Sequence, residues 1–228
     1  MLYTKEQVRD NIRNREGKRV FYMGKDDRLT MEARDFLREQ KISILSPEEI
    51  SKNNYRGENG GVFLEKPEHM THLNAEILVP KNHPRILFRG CVDRLEAEIL
   101  LCQKDLPQIS EALQEILDLS RKLIRCDVLE EPVGEVKLCG LTQQEQRRRS
   151  HFPQDYYGIP HFMPAKEDSM AVLRLNSLRS LARQTEITAL DAFSDRWGNP
   201  TRSDILQALN RMSSMLYILM LQEKSKIN

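Results

Sequence analysis

The sequence predicts a mainly α protein, a helical bundle of about five helices with a small α/β extension at the N-terminus. Three observations lead there. Beyond Lys66, apolar residues recur at three- and four-residue spacing over long stretches. Before it, short apolar runs alternate with turn residues and a single capped helix. With 39% apolar content, the 228-residue chain can bury a sizeable core. The change of pattern divides the chain into an α/β region, residues 1–65, and a helical region, residues 66–228.

In chain order, Val20 to Met23 is an apolar run followed by Gly24 and two aspartates, then by Thr30 leading into MEARDFLREQ. This reads as strand, turn and helix, because the Thr30 hydroxyl can accept orphan amide hydrogens at the helix start. A second run, Ile42 to Leu45, ends at Ser46-Pro47, and the polar segment Asn53 to Gly61 closes the region. Ile86, Leu87, Val92, Leu95 and Ile99 outline the first long helix. Ile109, Leu113, Ile116, Leu117 and Ile124 outline the second, with Pro107 in a first turn that tolerates it. Thr142-Gln-Gln-Glu145 is a capping-box pattern opening a shorter helix with Arg147, Arg148 and Arg149. His151 to Pro164 reads as loop. Two further long helices, Ser169 to about Phe193 and Ser203 to about Glu223, each start with a serine able to cap them.

Bulk charge excludes some functions. Thirty-five basic against 34 acidic residues leave a net charge of +1, so no global field draws the chain to nucleic acid or an anionic membrane. No apolar run approaches the roughly 20 residues that span a bilayer, and the start lacks a signal-peptide core, so a cytoplasmic location is expected. Cys91, Cys102, Cys126 and Cys139 are too widely spaced for a CxxC motif and read as reduced, mostly buried residues.

The helix from Ser169 carries charge beside its apolar face. At about 100° per residue, Val172, Leu175, Ala182, Leu190 and Phe193 share a sector with Arg179, Arg183 and Glu186. The three charges form a stripe about 60° wide along one edge. Spacing leaves two readings open: an ion-pair ladder at a solvated edge, or a pair of guanidinium forks that grip a polyphosphate. On the last helix, Asn210, Ser214 and Tyr217 lie along one stripe of an otherwise apolar cylinder. Asn210 can read a purine or a phosphate there, or bond to a neighbouring helix.

Other candidates are weaker. Lys25, Arg28 and Thr30 sit at a strand-to-helix turn, where free amides and basic side chains receive phosphate, although the spacing is not that of a Walker loop. His69 and His72 could both face a metal if helical, but no further ligand accompanies them and no metal site is assigned. Three successive arginines, 147 to 149, point around a helix rather than along one groove-facing edge, which argues for a solvated face over a nucleic-acid contact.

The Arg179, Arg183 and Glu186 stripe followed by ILQALNRMSSMLYIL resembles the signature of the ATP:corrinoid adenosyltransferases of the propanediol-utilisation type. The stretches KDDRLTMEAR, PEHMTHLNAEILVPKNHPRILFRGCVD, CDVLEEPVGEVKLCGLT and DILQALNRMSS resemble the ethanolamine-utilisation branch more closely. The resemblance implies that residues 66–228 are the adenosyltransferase domain. It implies transfer of the 5′-deoxyadenosyl group of ATP to cob(I)alamin, giving adenosylcobalamin for ethanolamine ammonia-lyase. Arg179 and Arg183 would hold the triphosphate, Glu186 would orient the nucleotide, and Asn210 would bind near adenosine or phosphates. Asp93 would pair with Arg179 across a subunit boundary, in a dimer or trimer with shared sites. Phe162 and Met163 would face the lower side of the corrin. Mg²⁺ would accompany ATP, and a reductase would supply the electron. Some branch members carry a histidine and cysteine cluster that binds a divalent metal. This chain has no cysteine before Cys91, so no structural transition metal is expected. The alternative is a non-catalytic helical module that carries a corrinoid or nucleotide or serves as a scaffold. The resemblance leaves association with a bacterial microcompartment open.

Overall fold

A computed structural model describes residues 1–15, 18–46, 55–63 and 65–226. The described chain divides into two compact units, Met1–His83 and Pro84–Asn228.

The first unit is built from short elements: β1 (Leu2–Tyr3), α1 (Lys5–Asp10), β2 (Arg13–Arg15), β3 (Lys18–Tyr22), β4 (Arg28–Leu29), α2 (Met31–Glu39), β5 (Ser43–Leu45), β6 (Tyr55–Gly57), β7 (Val62–Phe63), β8 (Met70–His72) and β9 (Ile77–Pro80). β3 is central in one sheet, antiparallel to β2 and parallel to β5. Its alternating side chains serve two cores. Phe21 packs with Tyr3, Val8, Ala33 and Leu37, while Val20 and Tyr22 pack with Val62. The expected strand, turn and capped helix are present, with the Thr30 hydroxyl accepting from Ala33 N–H at 3.3 Å. The boundary between units falls later than residue 65, because β8 and β9 pair with each other and β9 extends β6. Helical periodicity begins only at Pro84. Pro47 and the start of the polar segment at Asn53 lie outside the described residues.

The second unit contains α3 (Pro84–Asp105), a single 3-10 turn at Pro107–Ile109, α4 (Ser110–Val128), α5 (Gln143–His151), α6 (Pro153–Tyr157), α7 (Met170–Ala192) and α8 (Ser203–Ser225). Among the described residues four of these are long, α3, α4, α7 and α8, and they form the bundle. α3 packs on α4 and α7, α7 packs on α8, and the short α5 and α6 lie against α8. The five-helix expectation thus becomes four long helices and two short ones. His151 to Pro164 is not all loop, because α5 runs through His151 and α6 follows, ending at Gly158 in a left-handed cap with φ of 68°.

Residues facing inward at helical spacing supply the core, and α8 is buried from Ile205 to Leu221 on most of its circumference. Leu87 and Leu190 depart from expectation. Both are exposed, because the buried sides of α3 and α7 centre on Phe88, Val92 and Leu95 and on Leu178, Ala182 and Ala189. The capping box at Thr142 and the Ser169 cap are both formed. Ser203 does not cap α8: Arg202 takes the cap position without a side-chain cap bond, and Ser203 is already helical.

One end of this unit is held by paired charges. Fully buried Asp127 accepts Arg85 Nε at 2.8 Å and Arg89 Nε at 2.6 Å. Arg202 grips Asp204 through two bonds of 2.9 Å and donates to the Cys126 and Glu131 carbonyls. Asp204 also accepts Val133 N–H at 3.0 Å, and these bonds hold its carboxyl down at about 2. The last turn of α4 and the first of α8 are thereby tied together.

Candidate functional site

A cavity of about 510 Å³ opens on the helical unit where α5, α7, α8 and residues 161–163 meet. α7 contributes Arg179 and Arg183. α8 contributes Asn210, Ser213, Ser214 and Tyr217, and Phe162 and Met163 close another side. Seven residues singled out from sequence therefore line one hollow: Arg179, Arg183, Asn210, Ser214, Tyr217, Phe162 and Met163.

The charge stripe sits on the rim of the buried face of α7 rather than within it. Arg179 and Glu186 are half-buried, and Arg183 is exposed. Among the described residues, neither arginine has a carboxylate partner. Arg179 donates to Asn176 Oδ1 at 3.2 Å from one terminal nitrogen and lies 6.0 Å from the centre of the Tyr217 ring. The ladder reading of the stripe required Glu186 to pair with an arginine of its own helix. Instead, Glu186 accepts from Asn210 Nδ2 at 2.9 Å, and the two guanidiniums are left uncompensated.

Glu186 is not part of the cavity wall and reaches the site through Asn210. The other end of that carboxamide is also held, because Arg211 donates to Asn210 Oδ1. Arg211 and Glu186 together fix which way the amide faces. Burial lowers the Arg211 pKa, the nearby Arg147 charge adds to this, and Glu186 opposes it. Adjacency to Asn210 was the only signal for Arg211 in the sequence.

Tyr217 organises the opposite wall. Its ring stacks on His161 at 5.8 Å and 9° and on Phe162 at 6.2 Å and 26°. His161 Nε2 meets the His151 carbonyl at 3.2 Å, and a carbonyl can only accept, so this nitrogen carries the hydrogen. Nδ1 then faces the Tyr217 hydroxyl at 3.1 Å. Burial raises the Tyr217 pKa, while a bond from the Phe162 backbone and the Arg179 charge pull it down. Lys224 lies 5.0 Å from the centre of the Phe162 ring, and Met163 is 88% exposed. In the sequence, His161 falls in the stretch His151 to Pro164 that reads only as loop.

The remaining sequence candidates lie elsewhere. Asp93 is on the exposed side of α3 and outside the cavity wall. Lys25, Arg28 and Thr30 belong to the first unit, and their turn uses its amides internally. Gly24 N–H donates to Asp27 Oδ2 at 2.9 Å, Arg28 N–H to the Met1 carbonyl at 2.7 Å, and Thr30 N–H to the Tyr3 carbonyl at 2.9 Å. These three amides are therefore occupied. His69 lies in the turn before strand β8 and His72 ends that strand, so the two do not share a helix face. Among the described residues, no group of three or more His, Cys, Asp or Glu is placed to hold a metal ion. No described helix is long and apolar enough to cross a membrane.

A family model described as cobalamin adenosyltransferase matches residues 63–223. The chain is 36% identical over 162 residues to Corrinoid adenosyltransferase EutT of Escherichia coli (strain K12), which covers 71% of this chain and 61% of that protein. It is 34% identical over 164 residues to Corrinoid adenosyltransferase EutT of Salmonella typhimurium (strain LT2), covering 72% and 61% respectively. It thus spans about 61% of the length of the curated relatives it matches. No solved structure matches it. The family match takes in every residue that lines the cavity and the pair, Glu186 and Arg211, that orients Asn210. The chain belongs to the cobalamin adenosyltransferase family.

Proposed function

We propose that the protein transfers the 5′-deoxyadenosyl group of ATP to cob(I)alamin and releases inorganic triphosphate. The observation that carries this reading is the pair of uncompensated guanidiniums, Arg179 and Arg183, beside a carboxamide and an aromatic wall in one cavity. The cobalt(I) electron pair attacks C5′ of ATP. A cobalt–carbon bond forms as the C5′–O bond breaks, and the bonding electrons leave with the triphosphate.

Negative charge grows on the leaving group as that bond breaks, and the two guanidinium forks match its phosphate oxygens. Mg²⁺ accompanying ATP would share this charge through phosphate oxygens. Asn210 Nδ2 has two hydrogens, of which Glu186 takes one, so the other is available to the adenosine or phosphates. Glu186 and Arg211 are then positioning residues. Phe162 and Met163 would supply an apolar surface under the corrin. Asp93 would pair with Arg179 of a neighbouring copy in a dimer or trimer. The product would serve ethanolamine ammonia-lyase, with a reductase supplying the electron, in the cytoplasm or a microcompartment.

The test is direct. Protein, MgATP and cobalamin under strong reductant should yield the visible spectrum of a light-sensitive cobalt–carbon product. Absence of that product overturns the reading and leaves the non-catalytic module.

A further inference from the structure

A second cavity, of about 420 Å³, lies beside the first, and His151 lines both. Its other walls are Gln144, Arg147, Arg148 and Phe152. Phe152 is 57% exposed, an uncovered aromatic ring next to two exposed guanidiniums. Among the described residues, neither Arg147 nor Arg148 makes an ion pair. The third arginine of the run is turned away and lies 5.4 Å over the Tyr156 ring. Two cations and a flat apolar wall suit one phosphate joined to an aromatic base. They do not suit a nucleic-acid strand, which needs a charged track longer than two side chains.

A complete corrinoid carries such a group. A phosphodiester and ribose link a benzimidazole base to the edge of the ring, and the base can ligate cobalt from below. If Phe162 and Met163 occupy the space under the ring, the base has no room there and must lodge nearby. We propose that the cavity of Arg147, Arg148 and Phe152 receives this displaced nucleotide tail. The two guanidiniums hold its phosphodiester, and Phe152 and His151 stack on its base. The inference rests on the reading of the first cavity as a corrinoid site.

Cobinamide, which keeps the corrin ring and lacks the nucleotide, separates the two claims. In the double variant Arg147→Ala/Arg148→Ala, KM for cobalamin should rise about tenfold or more, the factor for losing a charge-assisted bond. KM for cobinamide should stay unchanged, and Phe152→Ala should show a smaller rise for cobalamin alone. Parallel rises for both corrinoids, or a rise for neither, overturn the proposal. If the double variant loses activity toward both by misfolding, wild-type protein decides. The isolated benzimidazole ribotide should raise the apparent KM for cobalamin and not for cobinamide, and equal or absent inhibition overturns the proposal. If wild-type protein adenosylates neither corrinoid, the enzyme reading has failed. Equilibrium binding of cob(II)alamin against cob(II)inamide, wild type against double variant, then tests the groove by the same criterion.

Discussion

Arg85 and Arg89 close on a fully buried carboxylate, and Arg202 is wrapped around Asp204 and two carbonyls. Arg179 and Arg183, on the same helical unit, have no carboxylate partner among the described residues. Burying a guanidinium is costly unless an opposite charge and hydrogen bonds compensate it, which the first group achieves internally. The second group avoids the cost by staying at the rim of α7, where its charge is available to a ligand. The same residue type thus serves folding in one place and, on the proposed reading, binding in another. What differs is whether the fold brings an acid to it.

That contrast can be broken by exchanging the consequences of mutation. Asp127→Ala removes the buried carboxylate that Arg85 and Arg89 share and should destabilise by about 3–5 kcal/mol, lowering Tm by roughly 10 °C, read by calorimetry. Arg183→Ala should do the reverse. It should cost about a hundredfold in kcat/KM with Tm within about a degree of wild type, and wild-type turnover would show the stripe to be only structural.

Acid sharpens the comparison further. The Asp204 carboxyl is held down at about 2, below its ordinary 3.8, so its contribution is complete above pH 4. It is lost as pH falls through 2, and Asp204→Asn should remove about 1–2 kcal/mol of this dependence in acid unfolding. The smallest effect concerns helix starts. Ser169→Ala should cost about 1 kcal/mol and Ser203→Ala less than about 0.5, because only Ser169 accepts an amide hydrogen at its helix start.

Features written in adjacent residues were legible in advance. Thr30, Thr142 and Ser169 cap the helices they precede, and the four-residue spacing of Arg179 and Arg183 put both on one edge of α7. The offset of the stripe was harder to see, because Leu190 counted as inward by periodicity, whereas α7 turns Ala189 to the core and leaves Leu190 exposed. Partners distant in sequence were not legible. Arg89 meets Asp127 across 38 residues, and His161 meets Tyr217 across 56, separations at which no local pattern operates. Strands β8 and β9 were missed for a related reason. They are too short for alternation to register, and their pairing rests on each other and on β6.

The sheathing of α8 has a consequence for how the cavity can change. Asn210, Ser214 and Tyr217 ride on a cylinder clamped from several directions, so altering that wall disturbs the whole interior. Met163 and Phe152, both exposed, carry no such burden. On the proposed corrinoid reading, tuning which corrin variant is accepted is a matter for the outer lip, where Met163 and Phe152 are exposed.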